Sequence, residues 1–478
     1  MNVVDRESLV GHLKPATTEL LAPFASPQGL DPDLERFLHA TASQLCRWLG
    51  HASSGGPLPN LSVLPAVAPE PDGLGMDRLL EDLQQVMDGS FQPSHPGSLA
   101  HLDPPPLTAS IAADLICAGL NNNLLAEELS PSLSRLERQL CGWFSSRLGL
   151  PASAGGVAAS GGSLSNLNAL VVARQAVGLA QNPDAVVFAS IDAHVSLAKA
   201  VRVMGLRDDA LQAIPVDDHG RLRLDGLEER LQAMRLQHRP CLAVVATAGT
   251  TVRGAIDPLQ ALADLCAREQ LWLHVDAAIG GVFALAEATA PLFEGLGQAQ
   301  SITVNPQKVL GITKTSSLLL VAERKALADA FATGLPYMEP AWGESHGGEQ
   351  GLQGTRPAEV LKLWLGLRQL GESGIAAVLS AAVERRRILQ GLLDPDRLRL
   401  RTGPLHLLAL RPDRGDQAAI EGWSLHTRQR LLDHQLMLSR PLYEGAYHLK
   451  AVLGNPHTQA DHLHQLAEIL NASTAGLH

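Results

Sequence analysis

The sequence predicts an α/β protein: a large central domain with a mostly parallel sheet, preceded by a helical segment and followed by a small α+β domain. Three observations predict it. From about residue 155 onward, short apolar runs alternate with segments of helical periodicity, the pattern of right-handed crossovers between parallel strands. The runs are a few residues long and bounded by turn residues, so they read as strands buried on both faces. Polar residues then follow several of these runs directly, at the strand ends where open sheets of this kind hold a ligand.

Taken in order, residues 1 to about 50 carry helical periodicity, with Leu34, Leu38, Ala42, Leu45 and Leu49 on one face. From Ser53 to Gly75 proline and glycine predict an extended connection, and 76–87 returns to a helical pattern. The stretch from His95 to Pro106 ends in three consecutive prolines, which predicts a stiff loop displaying His95, His101 and Asp103. Helices are expected over 107–120 and from about 131 to 148, the second with Ser130 as N-cap and Pro131 at its first position. Gly155 to Ala159 leads into Ser160-Gly161-Gly162-Ser163 and a long helix through Arg174. Strands are expected at 185–190, 241–246, 271–276, 301–304 and 316–321. The glycine-rich stretch 331–354 predicts a mobile loop over a site, and a helix follows at 359–370. The expected domains are a helical segment with the Pro-rich loop (1–105), the large α/β domain (106–354) and the small α+β domain (355–478).

Composition narrows the class. With 45% hydrophobic and 18% charged residues, the chain has the balance of an ordinary globular protein. Its net charge of -11 comes with acids and bases mixed along the chain, so neither a basic stripe for nucleic acid nor a polybasic membrane anchor is indicated. The five cysteines form no CxxC pair, so no metal site is expected and reduced thiols are the simplest account. No apolar run is long enough for a membrane span and the N-terminus lacks the pattern of a secretory signal, so a cytoplasmic location is expected.

Five features converge on one sheet edge. The run 271–276 ends in Asp276, and the run 301–304 is followed by Asn305-Pro306-Gln307-Lys308, bringing a carboxylate and an amine. Ser160-Gly161-Gly162-Ser163 precedes a helix, whose first amides and Ser163 hydroxyl suit a single phosphate ester; no GxGxxG and no Walker lysine is present. His194 follows the strand at 185–190 and offers a ring to stack, while Gly249-Thr250-Thr251 offers hydroxyls after 241–246. A phosphate cradle, a stacking ring, an acid and an amine together suit pyridoxal phosphate (PLP), which needs a lysine for its Schiff base and an acid at its pyridinium nitrogen.

These residues resemble the group II pyridoxal-dependent amino-acid decarboxylases, whose members act on glutamate, aromatic amino acids, histidine or 2,4-diaminobutyrate. The resemblance runs from about His95 to Pro456 and rests on Ser160 to Leu167, Gly249 to Asp257 and His274-Val275-Asp276-Ala277-Ala278. It implies PLP fold type I (aspartate aminotransferase-like) and a homodimer with active sites at the subunit interface. By resemblance Lys308 forms the Schiff base, Asp276 pairs with the ring nitrogen and His194 stacks on the ring and orients the substrate carboxylate. Gly162, Ser163 and Asn305 then hold the phosphate, Thr251 lies near the ring, Ala278 packs on its face, and Tyr337 in the mobile loop returns a proton. The reaction implied is loss of CO₂ from an L-amino acid to leave the amine.

Three departures keep alternatives open. Gln307 stands where the family usually has His; it still donates to phosphate but cannot carry charge. Lys450 stands where some members use Arg for the substrate carboxylate, and Pro357 where relatives often carry a basic or aromatic residue. An aldehyde-forming oxidative deaminase, or a PLP-binding protein without turnover, are the alternatives. For the substrate, Asp103 is a candidate receiver of a distal ammonium and His95 or His101 of a carboxylate, so acidic or diamino acids rank above aromatic ones.

Overall fold

The computed structural model describes residues 23–60, 63–334 and 346–474. These fall into two compact units, one reaching to Phe91 and one from Gln92 onward. In the first, the helices Pro32–Gly50 and Met76–Asp88 are joined by Gln44, whose side-chain amide donates to the Leu80 carbonyl and to Gln84. Asp31 caps the first helix, accepting from the amides of Asp33 and Leu34. Leu34, Leu79, Leu83 and Val86 stay exposed on this pair.

The second unit is organised by a seven-stranded sheet in the order β1-β7-β6-β5-β4-β2-β3. Its strands are β1 (Gly155–Ala159), β2 (Val186–Ser190), β3 (Leu211–Ile214), β4 (Cys241–Thr247), β5 (Trp272–Ala277), β6 (Ser301–Val304) and β7 (Ser317–Val321). All neighbours are parallel except at β7, which runs antiparallel to both β1 and β6. The mostly parallel sheet of fold type I is therefore present, and its five expected strands lie within a residue or two of their predicted positions. Two strands have no counterpart among the expected ones: β1, a Gly-Gly start to a five-residue run, and β3, where Leu211–Ile214 is four residues long with an exposed Ala213 and carries too little periodicity. Helices cover both faces, and the central strands are buried along nearly their whole length, with Phe144, Phe188 and Phe283 fully enclosed in the core. Burial of each such ring stabilises the fold by about 1.5–3 kcal/mol.

One local expectation changes. Pro131 does open the helix Pro131–Arg147, but the Ser130 hydroxyl makes no capping bond; it is buried and unpartnered. The helix expected at 359–370 begins at Val360 and is interrupted at Gly371, whose φ of 62° only glycine adopts easily, and helix resumes beyond it to Leu392. After it come an antiparallel sheet ordered β12-β9-β8, from β8 (Leu398–Thr402), β9 (Leu407–Pro412) and β12 (Leu449–Val452), and the hairpin of β10 (Leu442–Tyr443) and β11 (Ala446–Tyr447). The helices Gln417–Asp433 and Ala460–Ala472 pack beside that sheet. The Pro-rich stretch joins this layer: the Leu99 amide donates to the Met437 carbonyl, its carbonyl accepts from Val452, and its side chain is fully buried.

Candidate active site

β4, β5 and β6 run side by side and parallel, so their C-terminal ends open at one edge. The register sets Asp276 level with Thr247 on β4 and Thr303 on β6. A cavity of about 220 Å³ lies there. Nine predicted residues line it: Gly162, Ser163, His194, Thr251, Asp276, Ala278, Asn305, Gln307 and Lys308. The strand ends had been assigned separately; the sheet brings them together.

The anion end is the start of the helix Gly162–Ala176. Gly161 precedes it at φ 109°, a value that favours glycine, and turns the chain so that the first helical amides face the cavity. A Cβ on Gly162 would lie 2.9 Å from the end of the Asn305 side-chain amide. With its amide oriented to satisfy every neighbour, Asn305 accepts from the Gly162 amide (3.1 Å) and donates to Ser317 Oγ (2.7 Å) and the Val304 carbonyl (3.1 Å). Its side chain thus ties the glycine turn to β6 and β7.

Lys308 follows β6 in the single helical turn Gln307–Leu310. Burial lowers its ammonium below the ordinary lysine range, while the carboxylates of Asp276 and then Asp103 pull the other way. An amine that sheds its proton more readily is the form that attacks a carbonyl. Asp276 accepts from the Asn166 side-chain amide (2.8 Å) and from the Ala278 backbone amide (3.2 Å). Burial likewise lowers the His194 imidazole, which keeps it neutral and able to lie against a ring. Its loop is held from the C-terminal hairpin, where the Tyr443 hydroxyl donates to Asp192 at 2.6 Å.

Thr251 sits on the turn between β4 and Asp257. Asp257 is buried and accepts from the amides of Thr247 and Leu222, each at 2.7 Å; burial pushes its carboxyl up to about 7. Lys450, on β12, donates to the Thr251 carbonyl at 3.3 Å. It is 7% exposed, and burial, followed by the charge of Lys308, pushes it down to about 8.

The proposed substrate residues divide. Asp103 already meets two side chains of its own chain: Gln307 donates to it at 3.3 Å and Lys314 pairs with it at 3.1 Å. Gln307 also accepts from the Ser316 amide at 2.6 Å. His95 is not displayed as the loop's prolines suggested. It is buried, with Nδ1 accepting from the Gly97 amide at 2.9 Å, because its segment packs into the C-terminal layer. His101 is exposed, and neither histidine lines the cavity. Tyr337 lies outside the described residues. The chain just before that stretch is fixed by Glu349, which accepts from the Thr333 amide (2.6 Å), the Thr333 hydroxyl (2.7 Å) and the Gly334 amide (3.0 Å). Five lining residues carried no site role in the sequence reading: Gly161, Asn166, Thr247, Gly249 and Ile279. For Asn166, which reaches Asp276, the available signal was its place three residues after Ser163, on the same helical face.

The donor set fits PLP: a buried amine, a carboxylate held by two donors, a neutral ring and a glycine-lined helix start around one cavity. Lys308 would carry the cofactor, Asp276 its ring nitrogen, and the amides at Gly162 and Ser163 its phosphate.

Comparison with known proteins agrees. The pyridoxal-dependent decarboxylase conserved domain matches residues 59–398. The chain is 30% identical over 448 residues to an L-2,4-diaminobutyrate decarboxylase of Rhizobium meliloti, covering 92% of this chain and 89% of that one. It is 33% identical over 281 residues to an aromatic-L-amino-acid decarboxylase of Bacillus atrophaeus, 58% of each chain. In fold it is similar to Oryza sativa TDC with PLP and tryptamine, with a TM-score of 0.87 at 23% identity over 94% of this chain and 99% of that one. The converging strand ends and the match over most of the sequence give one conclusion: the chain belongs to the pyridoxal-dependent decarboxylase family.

Proposed function

We propose that this cleft removes the α-carboxylate of an L-amino acid as CO₂ and releases the amine. The observation that carries this is the meeting of Lys308, Asp276 and His194 in one cavity of a chain of this family. When bound, PLP supplies an electron sink for the pair left behind as the carboxylate departs. The protein's part is placement and proton control. Lys308 would hold the cofactor, and Asp276 would keep a proton on its ring nitrogen. His194 covers the ring and directs the substrate carboxylate, and Tyr337 returns a proton to Cα.

For the substrate we infer an acidic or diamino acid rather than an aromatic one. In support, no Phe, Tyr or Trp is among the described side chains lining the cavity. Lys450 donates to the carbonyl of Thr251, a residue of the cavity wall, and the charge of Lys308 disfavours its ammonium, so an anionic group of the substrate suits it. We also place the protein in the cytoplasm as a homodimer with the cleft at the interface. The helix Thr108–Leu120 supports a second copy, since Leu115 (49%), Ile116 (54%) and Leu120 (49%) are open to solvent along it. No helix among the described residues is long and apolar enough to cross a membrane.

The test is CO₂ release by the PLP-reconstituted protein across the standard L-amino acids, 2,4-diaminobutyrate and ornithine. Release from one or a few of them, abolished in Lys308→Ala, is expected. Stoichiometric peroxide and ammonia would instead assign the aldehyde-forming reaction. Bound PLP with no CO₂ from any amino acid would leave a binding protein.

A further inference from the structure

Behind the cofactor cleft lies a chain of buried polar side chains to which the reaction assigns no role. Asn166 is at its centre, 1% exposed. Its amide nitrogen donates to Asp276 Oδ2 (2.8 Å) and to Ser196 Oγ (3.0 Å), and its carbonyl oxygen lies 3.1 Å from His274 Nε2. His274 Nδ1 is 2.8 Å from Ser301 Oγ, which the Trp272 indole also reaches at 2.8 Å. At the other end, Ser196 presents both its hydroxyl (2.9 Å) and its backbone amide (3.2 Å) to His194 Nδ1. His274 and Asp276 share a face of β5 because they are two residues apart.

The proton positions follow from donor and acceptor chemistry alone. An ionised Asp276 only accepts, so the Asn166 nitrogen faces it and the Asn166 oxygen faces His274. That oxygen only accepts, so the His274 proton is on Nε2. With His274 neutral, its Nδ1 takes the Ser301 hydroxyl proton, and the Trp272 N–H, a donor only, fills the Ser301 oxygen. Both Asn166 protons are spent on Asp276 and Ser196, so the Ser196 hydroxyl donates onward to His194 Nδ1. The Ser196 amide donates to the same nitrogen. A proton on His194 Nδ1 would face two donors.

We propose that Asn166, Ser196, His274 and Ser301 form a positioning relay that locks the Asp276 carboxylate and the His194 ring to each other and fixes the His194 proton on Nε2. The relay rests on the PLP-dependent reading above and adds to it. One side chain, Asn166, sets both the acid at the cofactor's ring nitrogen and the imidazole over its face. His194 thereby meets the substrate as a neutral donor through Nε2. It cannot serve as a base there without giving up the Ser196 contacts. Burial holds the His274 imidazole well below the ordinary histidine range, in keeping with the neutral ring assigned here.

Neutron diffraction from crystals of the PLP-loaded protein in D₂O tests the assignment on the unmutated chain. Deuterium is expected on Nε2 of both His194 and His274, and on Ser301 directed at His274 Nδ1; deuterium on His194 Nδ1 overturns the relay. A second measurement uses Asn166→Ala. It is expected to weaken PLP binding about tenfold or more, by loss of a hydrogen bond to a charged group. The pH midpoint of the visible absorption band of the loaded protein should also move by about one unit. A midpoint equal to that of the unmutated protein would mean Asn166 only fills space, and would also overturn the relay. Neither readout needs turnover. A failed decarboxylase reading, PLP bound without CO₂ release, is therefore distinguishable from a failed relay.

Discussion

At the floor of the cleft, Asp276 and His274 are fixed by one strand, and Asn166 and Ser196 link them to His194 by hydrogen bonds. At the rim, Asp103, Gln307, Lys314 and Lys450 arrive from the Pro-rich stretch, the turn after β6, the approach to β7, and β12. The floor is a closed network in a region of low dielectric, where each bond is strong and each loss is costly. At the rim Lys314 is exposed and Asp103 partly so, whereas Gln307 and Lys450 are buried. We propose that the decarboxylation chemistry belongs to the floor and discrimination among amino acids to the rim.

The largest effect expected is at the floor. Lys308→Ala should abolish CO₂ release and the visible absorption of bound PLP, since no other described amine lines the cavity. Asp276→Asn keeps the shape and removes the charge; we expect kcat to fall by about 10²–10³-fold, as for loss of one preorganised electrostatic partner, checked by steady-state kinetics at saturating PLP. A mild effect in either variant would break the distinction between floor and rim.

Lys450 sharpens it. Its ordinary pKa is lowered to about 8, so the ammonium is present below that pH and lost as pH rises through it. If the cation holds the substrate, KM should climb above pH 8, about tenfold per unit once the amine is mostly neutral, with little change in kcat. Lys450→Arg stays charged, so its KM should lack that climb. Identical KM profiles in the two proteins would remove Lys450 from the substrate site. The smallest effect belongs to Gln307→Ala. It leaves the buried Ser316 amide without its acceptor and frees Asp103 from one donor. A loss of about 1–3 kcal/mol and a Tm lower by a few degrees are expected, read by thermal unfolding of the loaded protein.

The sequence by itself determined the strand that carries Asp276 and the strand that precedes Lys308, the glycine turn before the phosphate helix, and the family. These are local properties: apolar runs too short for helices, a glycine where φ must be positive, and polar residues at strand ends whose common edge follows from parallel pairing. Tertiary structure alone decided that Asn166 joins Asp276 to His194, that Asp103 is already paired with Lys314, and that His95 turns inward to its own backbone. Periodicity and turn chemistry act over a few residues, whereas the Asn166 bonds join β5 to a helix and the Asp103 pair joins the proline-rich loop to the approach to β7. Their partners are set by the packing of whole layers, and a buried polar group takes whichever partner that packing brings within reach.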